Sequence, residues 1–379
     1  MTGIALSGAP ASHVLSSANK PSHRDFGNLN LATCDSCSHV FNADTTVPTL
    51  HSSHFFTNTP VTEKMTLRHH DLVSFLNTKR YSRVLDCGAG SGALSVALAA
   101  AGHHVTAIEP SFQDGHKLIN VARVINQRWP VDQLMSEKFD LVLCVQVLEH
   151  TSDPLMFLES IVSVLDEHGY AYVEIPSGDW VFHHGSPLDV HLPHIQYFTD
   201  CSFRTLVSRV GFSVVSTRTV FEGRDVGYLI SRESAGSHKA ENQKFGSTIN
   251  DFRVFEDSVS SLKWNMSQLP KEVALYGANA GSQALLGWIP DGPWAACFDD
   301  THAYWDNCIY SSQKVIPILE PLMNNIMRFE QILITAYNHD DTIHRKLLMN
   351  GFRGKVWSLR PCHTVKSGPD SLVCRNTST

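Results

Sequence analysis

The sequence predicts an α/β protein with two Rossmann-like units, and three observations point to it. Between Arg83 and about Arg232, β-type runs (RVLD, HVTAIE, FDLVLCVQ, YAYVEIP) alternate with helical ones, the rhythm of a parallel sheet covered on both faces. A strand-glycine-helix unit, RVLDCGAGSGALSVALAAAG, opens that region, and a second, KEVALYGANAGSQALLGW, follows beyond a polar stretch. The 379 residues are long for one core, and 42% hydrophobic content is enough to bury two or three.

Residues 1–80 are rich in Ser, Thr, His and Asn, with one CxxC at Cys34 and Cys37. They end in MTLRHHDLVSFL, whose apolar periodicity predicts a helix leading into the core. Residues 81–232 hold the first unit. RVL is its opening strand, DCGAGSG (86–92) a tight turn, and ALSVALAAAG a helix of small residues. SRESAGSHKAENQKFGS then reads as an exposed connection, so residues 233–262 are assigned to a linker with helical character. The second, shorter βα alternation occupies residues 263–379.

The chemistry of the turn narrows its ligand. A phosphate-cradling Walker loop would read GxxxxGK[ST] and a dinucleotide fingerprint GxGxxG, whereas Gly88, Gly90 and Gly92 give GxGxG. Asp86, at the carboxyl end of the first strand, would repel a pyrophosphate but suits a ligand with ammonium and sulfonium centres, namely S-adenosylmethionine. AIEPS places Glu109 at the end of the second strand, where a carboxylate accepts both ribose hydroxyls of an adenosine. The net charge of −7 and the lack of a dense Lys/Arg cluster speak against a nucleic-acid partner. The start, MTGIALSGAPASHVLSS, has no basic n-region or long apolar core, and the apolar stretch from Val84 to Gly102 is broken by Asp86 and glycines. With nine scattered cysteines that fit reduced thiols, the expectation is a soluble, cytoplasmic protein without a membrane partner.

RVLDCGAGSG, HHVTAIEPS and FDLVLCVQVLEHTSDPLMFLESIVSVLDEHGYAYVEIPS together resemble the class I S-adenosylmethionine-dependent methyltransferases over about 150 residues. The resemblance implies that Asp86, Gly88, Gly90 and Gly92 shape the methionine and ribose subsite. It implies too that Glu109 binds the ribose and that Gln146 and Val147 border the cofactor after the fourth strand. His150 is read as ordering the turn after that strand, with a chemical role as the alternative. CDSCSHVFN is similar to the CxxCGxxxN segment of a zinc-binding amino-terminal module. VALYGANAG, VIPILEP, ILITAYNHDDTIHRKLL and GKVWSLRP resemble the carboxy-terminal Rossmann-like domain of the same group. The whole looks like the three-part architecture of sugar C-methyltransferases that act on nucleotide-linked deoxysugar ketones.

Two departures qualify that likeness. No second CxxC precedes Cys34, so a zinc ion at Cys34 and Cys37 would need ligands from His13, His23, His51 or His54, the alternative being a metal-free turn. Where the resembled group carries YHEH, this chain reads DVHLPHIQYFT: His194 matches the last His, Pro193 replaces the Glu and Leu192 the first His. The later HGGS phrase is replaced by EGRDVGYLI, and HIQYFT equally suits the looser pHl..ft phrase of other small-molecule methyltransferases.

Methyl transfer is an in-line displacement at a sulfonium carbon, so the protein must align a nucleophile and remove the proton that keeps it unreactive. HHGSPLDVHLPH, just beyond a strand end, offers four histidines. His194 is the first candidate base, His191 the second, and Tyr197 a donor to a developing enolate or alkoxide. The alternative is that the two histidines line a loop while Tyr197 and Phe198 cover the sheet. A divalent ion held by HHxxxxxxHxxH and Asp189 is a further alternative. In the tail, GANAGSQ mimics a nucleotide turn, with Asp299 and Asp300 where a second strand would end; the resemblance assigns that domain to packing and substrate contacts. The expected function is methyl transfer to a small-molecule acceptor, at carbon of a nucleotide-linked keto sugar or at oxygen or nitrogen of another metabolite. A nicotinamide oxidoreductase, disfavoured by GxGxG and Asp86, and a non-catalytic scaffold are the competing classes. The sequence specifies no oligomeric state.

Overall fold

The computed structural model of the chain describes residues 4–10, 21, 26–44, 61, 63–77, 81–112, 121, 123–232, 248–269, 272–359 and 372–375. Strands β1 (Ile4–Pro10), β2 (Phe26–Thr33) and β3 (Val40–Asn42) precede a helix, Glu63–Leu76. The central region then runs through β4 (Arg83–Cys87), β5 (His104–Ile108), β6 (Arg123–Ile125), β7 (Phe139–Val145), β8 (Leu165–Pro176), β9 (Gln196–Tyr197), β10 (Ser213–Val220) and β11 (Asp225–Ser231).

The central sheet has the order β10-β11-β8-β7-β4-β5-β6. Strands β4 to β8 pair in parallel, and β11 runs antiparallel to both β8 and β10. This is a mixed seven-stranded sheet, parallel from β8 to β6 and antiparallel at the β10-β11 edge. The apolar run of β4 explains its central place, because Val84, Leu85 and Cys87 are fully buried with both faces covered. The chain leaves β4 first toward β5 and β6, then returns to build β7 and β8 on the other side. That reversal is a topological switch point at the carboxyl ends of β4, β5 and β7, the place where ligands of such sheets generally bind.

Helices close the faces. In Pro154–Ser163, Asp153 caps the amino end by accepting the Met156 amide at 2.9 Å, and Pro154 sits where its missing N–H costs nothing. Phe157, Leu158, Ile161 and Val162 form its buried stripe against β7 and β8. Truncating one of them, such as Leu158→Ala, would cost about 2–5 kcal/mol.

The amino-terminal strands do not make a sheet of their own. They form the order β1-β2-β3-β9, with Val40 opposite Tyr197 and Phe41 opposite Gln196, so the partner strand lies just after the histidine loop of the central region. Spacing along the chain gives no hint of this pairing. The tail contributes β12 (Val273–Tyr276), β13 (Trp294–Phe298), β14 (Cys308–Tyr310), β15 (Val315–Leu319), β16 (Gln331–Ile334), β17 (Lys355–Leu359) and β18 (Leu372–Arg375). Its sheet has a parallel core, β15-β13-β12-β16-β17, edged by antiparallel β14 and β18. One apolar cluster joins Leu29 and Val40, Phe182 and Leu192 of the loop after β8, Phe252 and Phe255 of helix Thr248–Ser267, and Leu285 and Trp288 of the tail. Among the described residues, no helix is long and apolar enough to cross a membrane.

Candidate active site

The turn after β4 is built around Gly88. Its φ of 77° lies in the left-handed region, and a Cβ there would stand 2.4 Å from Val147 Cγ2. Backbone and contact therefore both demand glycine. The amides of Gly88 and Ala89 bond to the Ile108 carbonyl at 2.9 and 3.0 Å, which brings the turn across to the end of β5. There Glu109 receives the Gly90 amide (3.1 Å), the Ser111 amide (3.1 Å) and the Ser111 hydroxyl. Asp86 is buried and accepts from Ser95 Oγ at 2.6 Å. Burial pushes its carboxyl up to about 6, the Ser95 hydrogen bond opposing and the Glu109 charge adding. Gln146 ends β7 with a φ of 57°, unusual for a residue with a side chain; its amide bonds to the Glu174 carbonyl at 2.8 Å, while its buried Nε2 has no hydrogen-bond partner. Asp86, Gly88, Gly90, Gly92, Glu109, Gln146 and Val147 thus lie at the adjoining carboxyl ends of β4, β5 and β7.

A second group lies on the turn Leu148–His150 and the loop facing it. The Ile195 amide bonds to the Glu149 carbonyl at 3.0 Å, and the His194 amide to the His191 carbonyl at 3.1 Å, pinning loop to turn. His150 Nδ1 lies 2.8 Å from the Pro193 carbonyl. A carbonyl only accepts, so Nδ1 carries the proton and Nε2 holds the lone pair. That Nε2 is 3.9 Å from Glu149 Oε1. Glu149 is 1% exposed and its oxygens have no partner beyond a contact with its own backbone amide; burial pushes its carboxyl up to about 8, that amide and Arg68 opposing and the Asp225 and Glu174 charges adding. The His194 ring centroid is 4.8 Å from that of His150 and 4.0 Å from that of His191. Burial, then the neighbouring His191, His150 and Arg224, hold His194 well below the usual histidine range, so it is neutral at physiological pH.

The structure brings His191, His194 and Tyr197 together. The Tyr197 hydroxyl donates to the His191 carbonyl at 3.4 Å, its ring packs in the core, and burial raises its pKa far above the usual phenol value. The alternative ion site of four histidines with Asp189 is not assembled. His184 stacks on Trp180 and donates to its carbonyl at 2.9 Å, while Asp189 is taken by Arg224, Ser186 Oγ and the Tyr337 hydroxyl at 2.7 Å. Among the described residues, the group with metal-ligand spacing is instead Glu149, His150 and His194. Glu149 is the residue missed by the sequence reading; its signal was a carboxylate embedded in the apolar phrase VQVLEH.

Cys34 and Cys37 lie on the turn between β2 and β3, closed by the Ser38 amide on the Cys34 carbonyl at 2.9 Å. Hydrogen bonds from Ser36 bring the Cys34 thiol down to about 7, whereas burial raises Cys37. The four histidines considered as zinc partners, His13, His23, His51 and His54, fall outside the described residues. In the tail, Asp299 accepts the Ala278 and Thr301 amides at 2.7 and 2.8 Å, and Asp300 pairs with Lys346 and the Tyr276 hydroxyl. The GANAGSQ turn is thus tied to its own strand ends.

Residues 61–217 match the family model of a methyltransferase domain. The ubiquinone biosynthesis O-methyltransferase of Haemophilus ducreyi is 34% identical over 103 residues, covering 24% of this chain and 44% of the relative. That of Xylella fastidiosa is 36% identical over 104 residues, covering 24% and 41%. The matched region therefore spans less than half the length of these curated relatives. Similar solved structures include the 1,6-didemethyltoxoflavin-N1-methyltransferase of Burkholderia thailandensis with bound S-adenosylhomocysteine, at 18% identity and a TM-score of 0.35 over 45% of this chain and 79% of that one. The mitomycin 7-O-methyltransferase is another, at 17% identity and a TM-score of 0.35 over 44% and 54%.

Proposed function

We propose that this chain is an S-adenosylmethionine-dependent methyltransferase acting on a small-molecule acceptor. The observation that carries the reading is the passage of Gly88 under Val147, which sets two carboxylates, Asp86 and Glu109, at the reversal of the sheet. The cofactor, when bound, supplies an electrophilic methyl group on a sulfonium centre. Glu109 receives the ribose, with the Ser111 hydroxyl that it now accepts as the contact that a ribose hydroxyl replaces. Asp86 faces the cationic end, and Gln146 offers the unused donor at the border.

On the acceptor side, His194 is read as the group that takes a proton, its basicity recovering only if the acceptor's own charge offsets the burial that lowers it; His191 lies against it and Tyr197 supports the loop through the His191 carbonyl. A nucleotide-linked keto sugar methylated at carbon is the acceptor suggested by the three-part sequence likeness. The relatives named for O- and N-methylation support a second reading, transfer to oxygen or nitrogen of another metabolite. A cytoplasmic setting belongs to the same proposal, in keeping with the free thiols of Cys34, Cys37, Cys87, Cys144, Cys201, Cys297 and Cys308.

The test is isothermal titration with S-adenosylhomocysteine, repeated with NAD and with Glu109→Ala. Binding of the first ligand alone in the micromolar range, lost in the variant, is expected; no binding would end the reading. The same titration run across pH checks Asp86. Its carboxyl is neutral below about 6, and the ligand's ammonium favours the ionised form. Affinity should therefore strengthen as pH rises through that value and level off above it, and Asp86→Asn should flatten the profile.

A further inference from the structure

We propose that Glu149, His150 and His194 form a site for a divalent transition-metal ion of the zinc class, on the acceptor side. One ligand atom from each residue lies within 4.8 Å of the other two, and Glu149 Oε1 is 3.9 Å from His150 Nε2. Ligands bonded to zinc at about 2.0–2.1 Å in a tetrahedron stand roughly 3.4 Å apart, so side-chain rotation closes the cluster without moving the backbone.

The second observation is a set of polar atoms left without partners. Both oxygens of Glu149 and Nδ1 of His194 are buried, with no partner beyond the contact of Glu149 with its own backbone amide. Buried polar atoms left without a partner carry a desolvation cost, which a bound cation would offset. Folding has packed Glu149 beside two imidazoles.

The third is the surrounding support. A metal-bound histidine usually donates its other N–H to a carbonyl or carboxylate, which fixes the tautomer and aims the lone pair. His150 does so, through Nδ1 to the Pro193 carbonyl at 2.8 Å. The Ile195 amide on the Glu149 carbonyl holds ligand turn and ligand loop together. Two imidazoles and one carboxylate favour zinc, cobalt or iron(II) over magnesium or calcium, which prefer all-oxygen sets, and three protein ligands leave a position open.

With an ion in place, His194 is a ligand and no longer a proton acceptor. The ion then serves as the Lewis acid that lowers the pKa of an acceptor hydroxyl reaching the open position. That role rests on the methyltransferase reading, whereas binding of the ion does not.

The test uses the full chain, stripped with chelator and titrated with Zn2+ by calorimetry and with Co2+ by absorption. The expected result is a cobalt spectrum of weak visible bands without the intense near-ultraviolet band of a cobalt-thiolate bond. Glu149→Gln and His194→Asn should each weaken the affinity by roughly tenfold or more, and a Cys34→Ser/Cys37→Ser variant should leave it unchanged. No cobalt bands, a thiolate band lost with the two cysteines, or full affinity in folded Glu149→Gln would overturn the proposal. Should the site variants fail to fold, by circular dichroism, the wild-type spectrum decides alone. Titration with S-adenosylhomocysteine on the same samples keeps the two readings apart: cofactor binding without metal binding sinks only this one, and the converse only the other.

Discussion

At the scale of single residues, Gly88 carries the most constraint. An alanine there would pay for a left-handed backbone, about 1–2 kcal/mol, and its methyl would drive into Val147, a crowding that costs about 1–3 kcal/mol more. Gly88→Ala is expected to lose about 2–5 kcal/mol of stability in urea unfolding and to lose cofactor binding. Gly88→Ala combined with Val147→Ala separates the two causes, because the smaller neighbour relieves the crowding and leaves the backbone cost. Full stability in the single variant would show that the turn is looser than its geometry. The places of Asp86, Gly88 and Glu109 were legible in the sequence because they follow from chain-local order: strand, turn, helix, then the next strand end. Glu149 was not, since its meaning depends on His194 and Pro193, which only the fold brings beside it.

At the scale of elements, helix Glu63–Leu76 shows how a segment ahead of the sheet is drawn into the site. Leu72, Val73 and Leu76 bury one stripe, as the periodicity of MTLRHHDLVSFL implied. On the same helix Arg68 reaches the end of β8 and pairs with Glu174, which is fully buried, also receives the Tyr172 hydroxyl, and lies 3.3 Å from Arg218. The sequence showed the stripe but not this ion pair, because partners so far apart in the chain leave no periodic trace. Removing one member strands a charge where water cannot reach it. Arg68→Ala should therefore cost about 3–5 kcal/mol, less whatever Arg218 recovers. The double variant Arg68→Met/Glu174→Gln should lose less than the single one. Thermal unfolding of the three proteins checks the order, and equal losses in single and double variants would mean that packing of the arginine stem, not its charge, is what the site uses.

At the scale of the whole molecule, the histidine loop is held by parts far apart in the chain. β3 pairs with β9 on one side. On the other, Trp288 Nε1 donates to the Pro187 carbonyl at 2.9 Å and the Tyr337 hydroxyl to Asp189 at 2.7 Å, with Arg224 lying 4.6 Å from the Tyr337 ring centroid. The loop's apolar residues Phe182, Leu188, Val190 and Leu192 belong to the same cluster as Phe252, Phe255, Leu285 and Trp288. The boundaries expected at residues 80, 232 and 262 leave members of this cluster on different sides of them, because composition marks polar connections and not the contacts that form over them. A fragment of residues 1–232 would expose that face of the loop, each large side chain forfeiting about 1.5–3 kcal/mol of burial. It is expected to aggregate or to unfold at far lower urea than the full chain. In the intact chain, Tyr337→Phe removes one bond to Asp189 while Arg224 and Ser186 remain, so the fold should survive and the loop loosen. If the acceptor sits on that loop, the variant should raise the acceptor KM and leave S-adenosylhomocysteine affinity unchanged. A stable, cofactor-binding fragment 1–232 would show instead that the tail is a separable addition, and the acceptor side would then have to be sought within the central sheet alone.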